Sequence, residues 1–329
     1  MPRLADVLGV LGKYVACPAG RLLEPDRRRC LEIVKVRFEG KRRALFAGLE
    51  KGEPPASGEL RRLATEALSD LRGELRKCAQ ANPIKRAALF VDRLFPVDET
   101  EFMDRVDLSE ADRVRIIEDL HRLNELLGSY DYFLDVLEPQ VGGQRLRILE
   151  LASGFGAFPI GLAERARKKG ITLSITGSDI RPEYVEIAQK RAEREGFPEV
   201  RFLVHDALAM DSVPDDRYDV ICCLQTVHHF PAGDLALLMS NAYRNTAHSV
   251  IFIDVFRSLL TIGIVVPLTL LLDRFWPFTY DFILSVRKMY HPEELEMLGW
   301  LGLAGDRCRA RFLSPGYTVF EAYKDSDAG

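Results

Sequence analysis

Apolar positions along this chain follow two rhythms, and the change comes near Arg147. Before it the spacing is helical. In ELRRLATEALSDLRGELRKC, Leu60, Leu63, Ala67, Leu71 and Leu75 share one helical face. DLSEADRVRIIEDLHRLNELLG repeats the pattern with Ile116, Leu120, Leu123 and Leu127. Its ends are readable too. Ser109 is placed to cap the first turn, with Asp112 three residues on, and Gly128 follows the last turn. KGEPPASGE, residues 51–59, reads as a loop or linker. The first 140 residues are therefore expected to be mainly helical.

After Arg147 short apolar runs alternate with helical stretches. RILEL, LSITGSD, VRFLVHDAL, YDVICCLQTV and HSVIFIDVF are five strand candidates, and FPIGLAERARKK and RPEYVEIAQKRAEREG are helices between the first three. Such alternation predicts an α/β fold, a doubly wound and mostly parallel sheet with helices on both faces. The tail breaks the rhythm. RCRARFLSPGYTVFEAYK reads as two strands around SPG, which makes an antiparallel hairpin and a total of seven strands. The expected organisation is a helical N-terminal cap or dimerisation domain over 1–140 and an α/β domain over 141–329. A hydrophobic insertion at about 258–280 falls inside the second.

Ligands of such sheets sit at the carboxyl ends of the strands, where strand order reverses. ILELASGFGAF, residues 148–158, ends the first strand at Glu150 and Leu151 and turns through Gly154 and Gly156. Glycines there let the backbone turn sharply and approach a ligand, and the next helix points its N-terminal amides at the same place. Three further features stand at successive strand ends. Asp179 is suited to the two hydroxyls of a ribose. Asp206 is suited to an adenine amino group, and Gln225 and Thr226 close the fourth strand. Each aspartate alone also fits a turn or cap; together they point to a nucleoside. A nicotinamide dinucleotide asks for G-x-G-x-x-G, but Pro159 stands at the third glycine.

These stretches resemble the motifs of class I S-adenosylmethionine-dependent methyltransferases. ILELASGFGAF is similar to the first motif, ITGSDIRPEYVEIAQKRAE to the ribose-binding motif, and RFLVHDAL and RYDVICCLQTVHHF to the next two. SVRKMYHPEELEML, residues 285–298, resembles the lead into a late helix before the last hairpin. The similarity spans roughly residues 100–325 and is nearest to the bacterial small-molecule group that includes the ubiquinone/menaquinone methyltransferases. The one departure is Ala152, where the family frame begins with glycine. The resemblance implies a Rossmann-like methyltransferase sheet and S-adenosylmethionine as cofactor, with S-adenosylhomocysteine as product. It implies that Glu150, Ala152, Ser153, Gly154 and Gly156 hold the methionine part. Asp179 would bind the ribose, Ile180 the adenine face, and Asp206 and Ala207 the adenine amino edge. Gln225 would lie near the sulfonium.

His228 and His229 follow the fourth strand at the mouth of this site. Either is a candidate base or a substrate-positioning group, since imidazole titrates near neutrality; the bland alternative is packing or capping. No metal is expected, because no third ligand lies nearby in sequence. His205 reads as structural and His291, before Pro292, as a helix cap. Tyr290, Arg257 and Arg287 flank the late apolar segment, as surface, packing or substrate-touching groups.

Charge and cysteine content narrow the remaining classes. Residues 1–95 hold 20 Lys/Arg against 12 Asp/Glu, and the rest 25 against 37, so charges of +8 and -12 sum to the net -4. The basic part faces either an anionic partner or solvent. Six cysteines without a CxxC pair argue against zinc and fit a reduced, cytoplasmic location. The start, MPRLADVLGVLGKY, makes a poor signal peptide. SLLTIGIVVPLTLLL, Ser258 to Leu272, is short of the roughly 20 residues a spanning helix needs. It is expected to pack on the N-terminal helices, wall a greasy pocket or form a dimer interface. The acceptor is then a small, hydrophobic molecule of polyketide, quinone-like or lipid-like kind. A nucleic-acid methyltransferase is the first alternative, but LQTV stands where amino-directed DNA enzymes carry [N/D]-P-P-[Y/F], and Cys222 follows Ile221 rather than proline. A non-catalytic cofactor-binding partner and a nicotinamide oxidoreductase, for which the Tyr-x-x-x-Lys pair is lacking, complete the alternatives.

Overall fold

Strands buried on both faces need apolar residues throughout, and the middle of this chain supplies them. The structure, a computed structural model, describes residues 18–48, 55–93, 101–102, 108–138, 145–209, 218–272, 276–303 and 307–324. The signal-peptide reading of residues 1–14 lies outside them, as do residues 51–54 of the 51–59 linker, whose last three residues, Ser57 to Glu59, are helical rather than loop.

Among the described residues three helices come first: α1 (Pro18–Leu45), α2 (Ser57–Ala79) and α3 (Pro83–Arg93). Next come α4 (Glu110–Leu127) and α5 (Ser129–Leu137). Ser109 caps α4 by accepting from the Asp112 N–H, and Gly128 ends it in the left-handed region at φ 68°. The sheet begins with β1 (Leu146–Leu151), α6 (Ala157–Lys169), β2 (Leu173–Asp179), α7 (Pro182–Glu195) and β3 (Val200–Val204). It continues with β4 (Tyr218–Leu224), α8 (Ala232–Asn245) and β5 (Thr246–Val255). Then follow α9 (Leu259–Leu272), α10 (Trp276–Lys288), α11 (Pro292–Gly302) and the strands β6 (Cys308–Leu313) and β7 (Tyr317–Tyr323).

The seven strands run in the order β3-β2-β1-β4-β5-β7-β6. β1 lies parallel to both β2 and β4, so the order reverses between β1 and β4. β7 is antiparallel to β5 and to β6. This is the Rossmann-like sheet with a terminal hairpin that the alternation predicts. β4 is buried at every position, as the centre of a covered sheet must be. β3 ends at Val204 and β4 at Leu224, earlier than the apolar runs imply, so Asp206 and Gln225 sit just past their strands.

Helices α1 to α3 share one hydrophobic core with α8, α11 and the sheet. Their basic residues reach acids of the α/β part. Arg28 meets Glu293 at 3.2 Å and Glu296 at 2.6 Å, Lys35 meets Glu296 at 3.2 Å, Arg72 meets Glu294 at 2.7 Å and Arg61 meets Asp234 at 2.6 Å. Arg42 donates to the carbonyls of Trp300 and Leu303 from a buried position. Much of the charge asymmetry along the sequence is thus an internal match. Glu293, Glu294 and Glu296 are buried on α11, which leaves them tolerable only beside such cations.

Candidate active site

The turn after β1 carries unusual backbone geometry. Ala152 has φ 54° and Gly154 φ 53°, and Gly156 at φ 75° forms the N-cap of α6. A side chain at Gly156 would come within 2.4 Å of the Phe202 ring, so that position is closed to anything larger. At Gly154 the same test finds open space, where a ligand can lie against the backbone. Ala152 adopts a conformation that glycine would hold without strain. Gln225, just past β4, has φ 55°, so among the described residues the two positive-φ residues other than glycine stand at the ends of adjacent central strands. The Thr226 hydroxyl ties these ends together by donating to the Ala152 carbonyl at 3.2 Å.

Below the turn lies Glu150. It is buried, and neither carboxyl oxygen has a hydrogen-bond partner. Burial, and then the neighbouring Asp179, push its pKa well above the usual carboxylate range. The Ser153 hydroxyl is likewise buried without a partner. Asp179 ends β2 and uses both oxygens. Oδ2 accepts the Gly154 N–H at 2.9 Å and Oδ1 accepts the Arg181 N–H at 3.0 Å. Burial raises its pKa, although those two amides pull it back. Ile180 is 62% exposed next to it, an apolar surface with nothing over it. Asp206 is exposed and bonds the Leu208 N–H at 2.9 Å, in the turn role that any aspartate can take; Ala207 is buried.

Helix α4 lies over one side of the cleft. Its Ile117 packs with Phe155 and Tyr184, whose rings stand 4.1 Å apart. Its Asn124 pairs with Gln225 through two amide hydrogen bonds of 3.2 and 3.1 Å. Nothing in the local sequence singles out Asn124, because its role depends on where α4 docks.

Beyond Gln225 opens a chamber of about 150 Å³. Ile116, Leu120 and Leu123 of α4 line it, with Val265 of α9 and Phe278 and Phe282 of α10. The apolar segment 258–272 therefore forms a helix that walls this chamber while packing on α4 and α10. Among the described residues no helix is long and apolar enough to cross a membrane.

His228 and His229 both line the chamber. His228 is buried, and its Nδ1 lies 2.8 Å from Asp254 Oδ2, which also accepts the His228 N–H at 3.0 Å. A carboxylate only accepts, so in the neutral ring Nδ1 carries the proton and Nε2 presents its lone pair. Asp254 was readable as an acid at the end of β5, like Asp179 at the end of β2. Glu101, whose carboxylate approaches both histidines, had no such signal. The third ligand-capable group missing from the neighbouring sequence is thus supplied from a distant part of the chain. His291 caps α11 in a capping box with Glu294. Arg257 donates to the Met289 carbonyl and Tyr290 to that of Phe230, so both at least serve packing.

Residues 148–249 match the family model described as a methyltransferase domain. Over 148 residues the chain is 26% identical to the ubiquinone/menaquinone biosynthesis C-methyltransferase UbiE of Rickettsia bellii (strain OSU 85-389), covering 45% of this chain and 57% of that protein. To the UbiE of Rickettsia massiliae (strain Mtu5) it is 30% identical over 128 residues, 39% of this chain and 50% of the other. The chain thus spans about half the length of these relatives. Among solved structures, the plantazolicin methyltransferase BamL, in complex with a desmethyl analogue and SAH, aligns with a TM-score of 0.49 and 12% identity, over 65% of this chain and 91% of that one. Magnesium protoporphyrin IX methyltransferase from Synechocystis PCC 6803, with bound SAH, aligns with a TM-score of 0.41 and 16% identity, over 68% and 91%. Residues 148–249 are thus similar to a methyltransferase domain, and that similarity takes in the glycine turn, Asp179, Asp206, Gln225 and both histidines.

Proposed function

We propose that this protein transfers a methyl group from S-adenosylmethionine to a small hydrophobic acceptor seated in the chamber beyond Gln225. The observation that carries this reading is the continuity of the two sites. Gln225 and His228 follow β4, at the same edge of the sheet as the glycine turn, and both line the chamber. A donor over the turn and an acceptor in the chamber would then meet at the end of β4.

The residues fit that donor better than a dinucleotide. S-adenosylmethionine is cationic at its sulfonium and ammonium, and an unpartnered buried carboxyl at Glu150 suits positive charge. A pyrophosphate over the same turn would face Glu150 and Asp179, two acids, at a desolvation cost and with repulsion. Ala152 to Gly156 would hold the methionine part by backbone, and Asp179 the ribose through its remaining lone pairs. Ile180 offers the apolar surface for adenine, and Asp206 and Ala207 its edge.

When bound, the cofactor supplies a methyl group on an excellent leaving group, so alignment and exclusion of water carry much of the rate. Helices α4, α9 and α10 exclude water with aliphatic and phenyl side chains. A volume of this order admits about one aromatic ring, which fits a phenolic or quinol-like head or a short stretch of lipid chain. For an oxygen acceptor, His228 Nε2 is placed to take the hydroxyl proton while Asp254 holds the ring. His229, beside it, would position the acceptor. Helices α1 to α3 would act as a docked platform, and α4 as the cap over the cofactor. Basic residues already engaged by α8 and α11 leave less reason to invoke nucleic acid.

The test is incubation of the full chain with methyl-labelled S-adenosylmethionine and a panel of single-ring phenols, quinols and long-chain lipids. Label in an organic-soluble product one methyl heavier than its acceptor supports the reading. In parallel incubations with DNA and RNA, transfer to these polymers alone would replace it with the nucleic-acid alternative.

A further inference from the structure

Glu101, His228 and His229 converge at one wall of the chamber, with one ligand-capable atom of each within 4.8 Å of the others. His228 Nε2 lies 3.6 Å from Glu101 Oε1, and His229 Nε2 lies 3.9 Å from Glu101 Oε2. Both gaps are too long for hydrogen bonds. They are close to the spacing of ligands around a small ion: with bonds of about 2.0–2.1 Å, tetrahedral ligand atoms stand roughly 3.4 Å apart.

The groups are also prepared for such a task. His228 Nε2 is buried and has no hydrogen-bond partner, while its ring is fixed from behind by Asp254. A carboxylate behind an imidazole is the arrangement that orients metal-binding histidines and sharpens their basicity. The Glu101 side chain is 3% exposed, and its position is held because the next residue, Phe102, donates its N–H to Asp281 at 2.6 Å. Lys288 Nζ touches Glu101 Oε1 at 3.4 Å, which leaves Oε2 toward His229.

We propose that Glu101, His228 and His229 form a site for a divalent zinc-type cation whose open coordination position faces the acceptor chamber. Two imidazoles and one carboxylate suit zinc or its neighbours better than magnesium or calcium, which prefer an all-oxygen shell. Three protein ligands with a free position are the pattern of ions that hold a substrate. The role of the ion rests on the methyl-transfer reading: its open position would take an oxygen of the acceptor and hold it near the methyl group. The ion and a proton compete for the same lone pair of His228. The loaded chain would therefore hold the acceptor through the metal, and the metal-free chain through the imidazole. Lys288 is the neighbouring cation and opposes loading.

The test needs neither cofactor nor acceptor, so its failure is separable from failure of methyl transfer. The full chain is stripped with a chelator, dialysed and titrated with cobalt(II), followed by zinc(II) competition. The expected result is one ion per chain, with visible cobalt bands that zinc abolishes. Asp254→Asn should weaken binding about 10- to 100-fold, as for other outer-shell losses, and His229→Ala by more than that. Glu101→Gln should do likewise, and circular dichroism confirms that each variant is folded. Lys288→Gln should tighten binding, a gain that misfolding cannot imitate. Absence of cobalt bands at millimolar ion would overturn the site, as would binding that His229→Ala and Lys288→Gln both leave unchanged.

Discussion

Asp179 is the residue on which the cofactor assignment turns, and its loss has two separable consequences. Its oxygens hold the amides of Gly154 and Arg181. Asp179→Ala removes both bonds, and hydrogen bonds to a charged group contribute about 1.5–3 kcal/mol each. Removing a buried carboxylate also relieves desolvation, evident in its raised pKa. The net loss of stability should therefore be nearer 2 than 5 kcal/mol. The binding effect comes on top. If the carboxylate accepts the ribose hydroxyls, the variant loses about 2–4 kcal/mol of cofactor affinity, or roughly 30- to 800-fold in Kd. Asp179→Asn keeps the shape but not the charge, and should lose about tenfold. Calorimetric titration with S-adenosylhomocysteine reads the affinity, and thermal unfolding reads the stability on the same samples. A folded Asp179→Ala variant that binds within about twofold of the parent would refute the ribose role.

Other expectations follow from the same geometry. Glu150 has a folded pKa raised by burial, so the cofactor-free protein loses stability as pH climbs from the unfolded value of about 4.3 toward the folded one. Glu150→Gln should therefore unfold at higher temperature than the parent at neutral pH, with the margin shrinking near pH ~4; an equal margin at both pH values would contradict the assigned shift. Ala152 is left-handed, and Ala152→Gly should raise stability by about 0.5–1 kcal/mol in denaturant unfolding, the relief of strain exceeding the entropy that glycine adds. Burial pushes the Glu294 carboxyl up, but Arg257, Arg72 and His291 outweigh it and hold its pKa well below normal. Its stabilisation is thus full above about pH 4.3 and is lost as pH falls toward the depressed value, so Glu294→Gln should cost about 3 kcal/mol near neutrality and flatten the acid limb of the stability profile. His228→Ala should abolish most transfer to an oxygen acceptor while leaving the affinity for S-adenosylhomocysteine unchanged; a shift in that affinity would place His228 in the cofactor cleft instead.

The parts of this molecule that were legible in the sequence are those set by local rules. Buried parallel strands need continuous apolar runs, which is why β1, β2, β4 and β5 stand out, and strand ends then locate Glu150, Asp179 and Gln225 without further information. Helix caps are equally local, and Ser109, Gly128 and His291 act as their neighbours suggest. What was illegible depends on docking. Asn124 is an ordinary polar residue on an amphipathic helix until α4 lies against the end of β4. Glu101 meets the two histidines only because α10 anchors the segment that carries it. The basic N-terminal residues looked like a surface for a partner or for water, and their acids were already present on α8 and α11. Segment 258–272 was recognisably apolar, but its composition alone did not distinguish a pocket wall from a packing face, and it serves as both.

On this geometry the turn from Ala152 to Gly156 would receive a cationic adenosyl cofactor. Calorimetric titration of the full chain with S-adenosylmethionine, S-adenosylhomocysteine and NADH tests it most directly. Micromolar binding of both adenosyl ligands and none of NADH is expected. Binding of NADH alone, or of none of the three by folded protein, would contradict it.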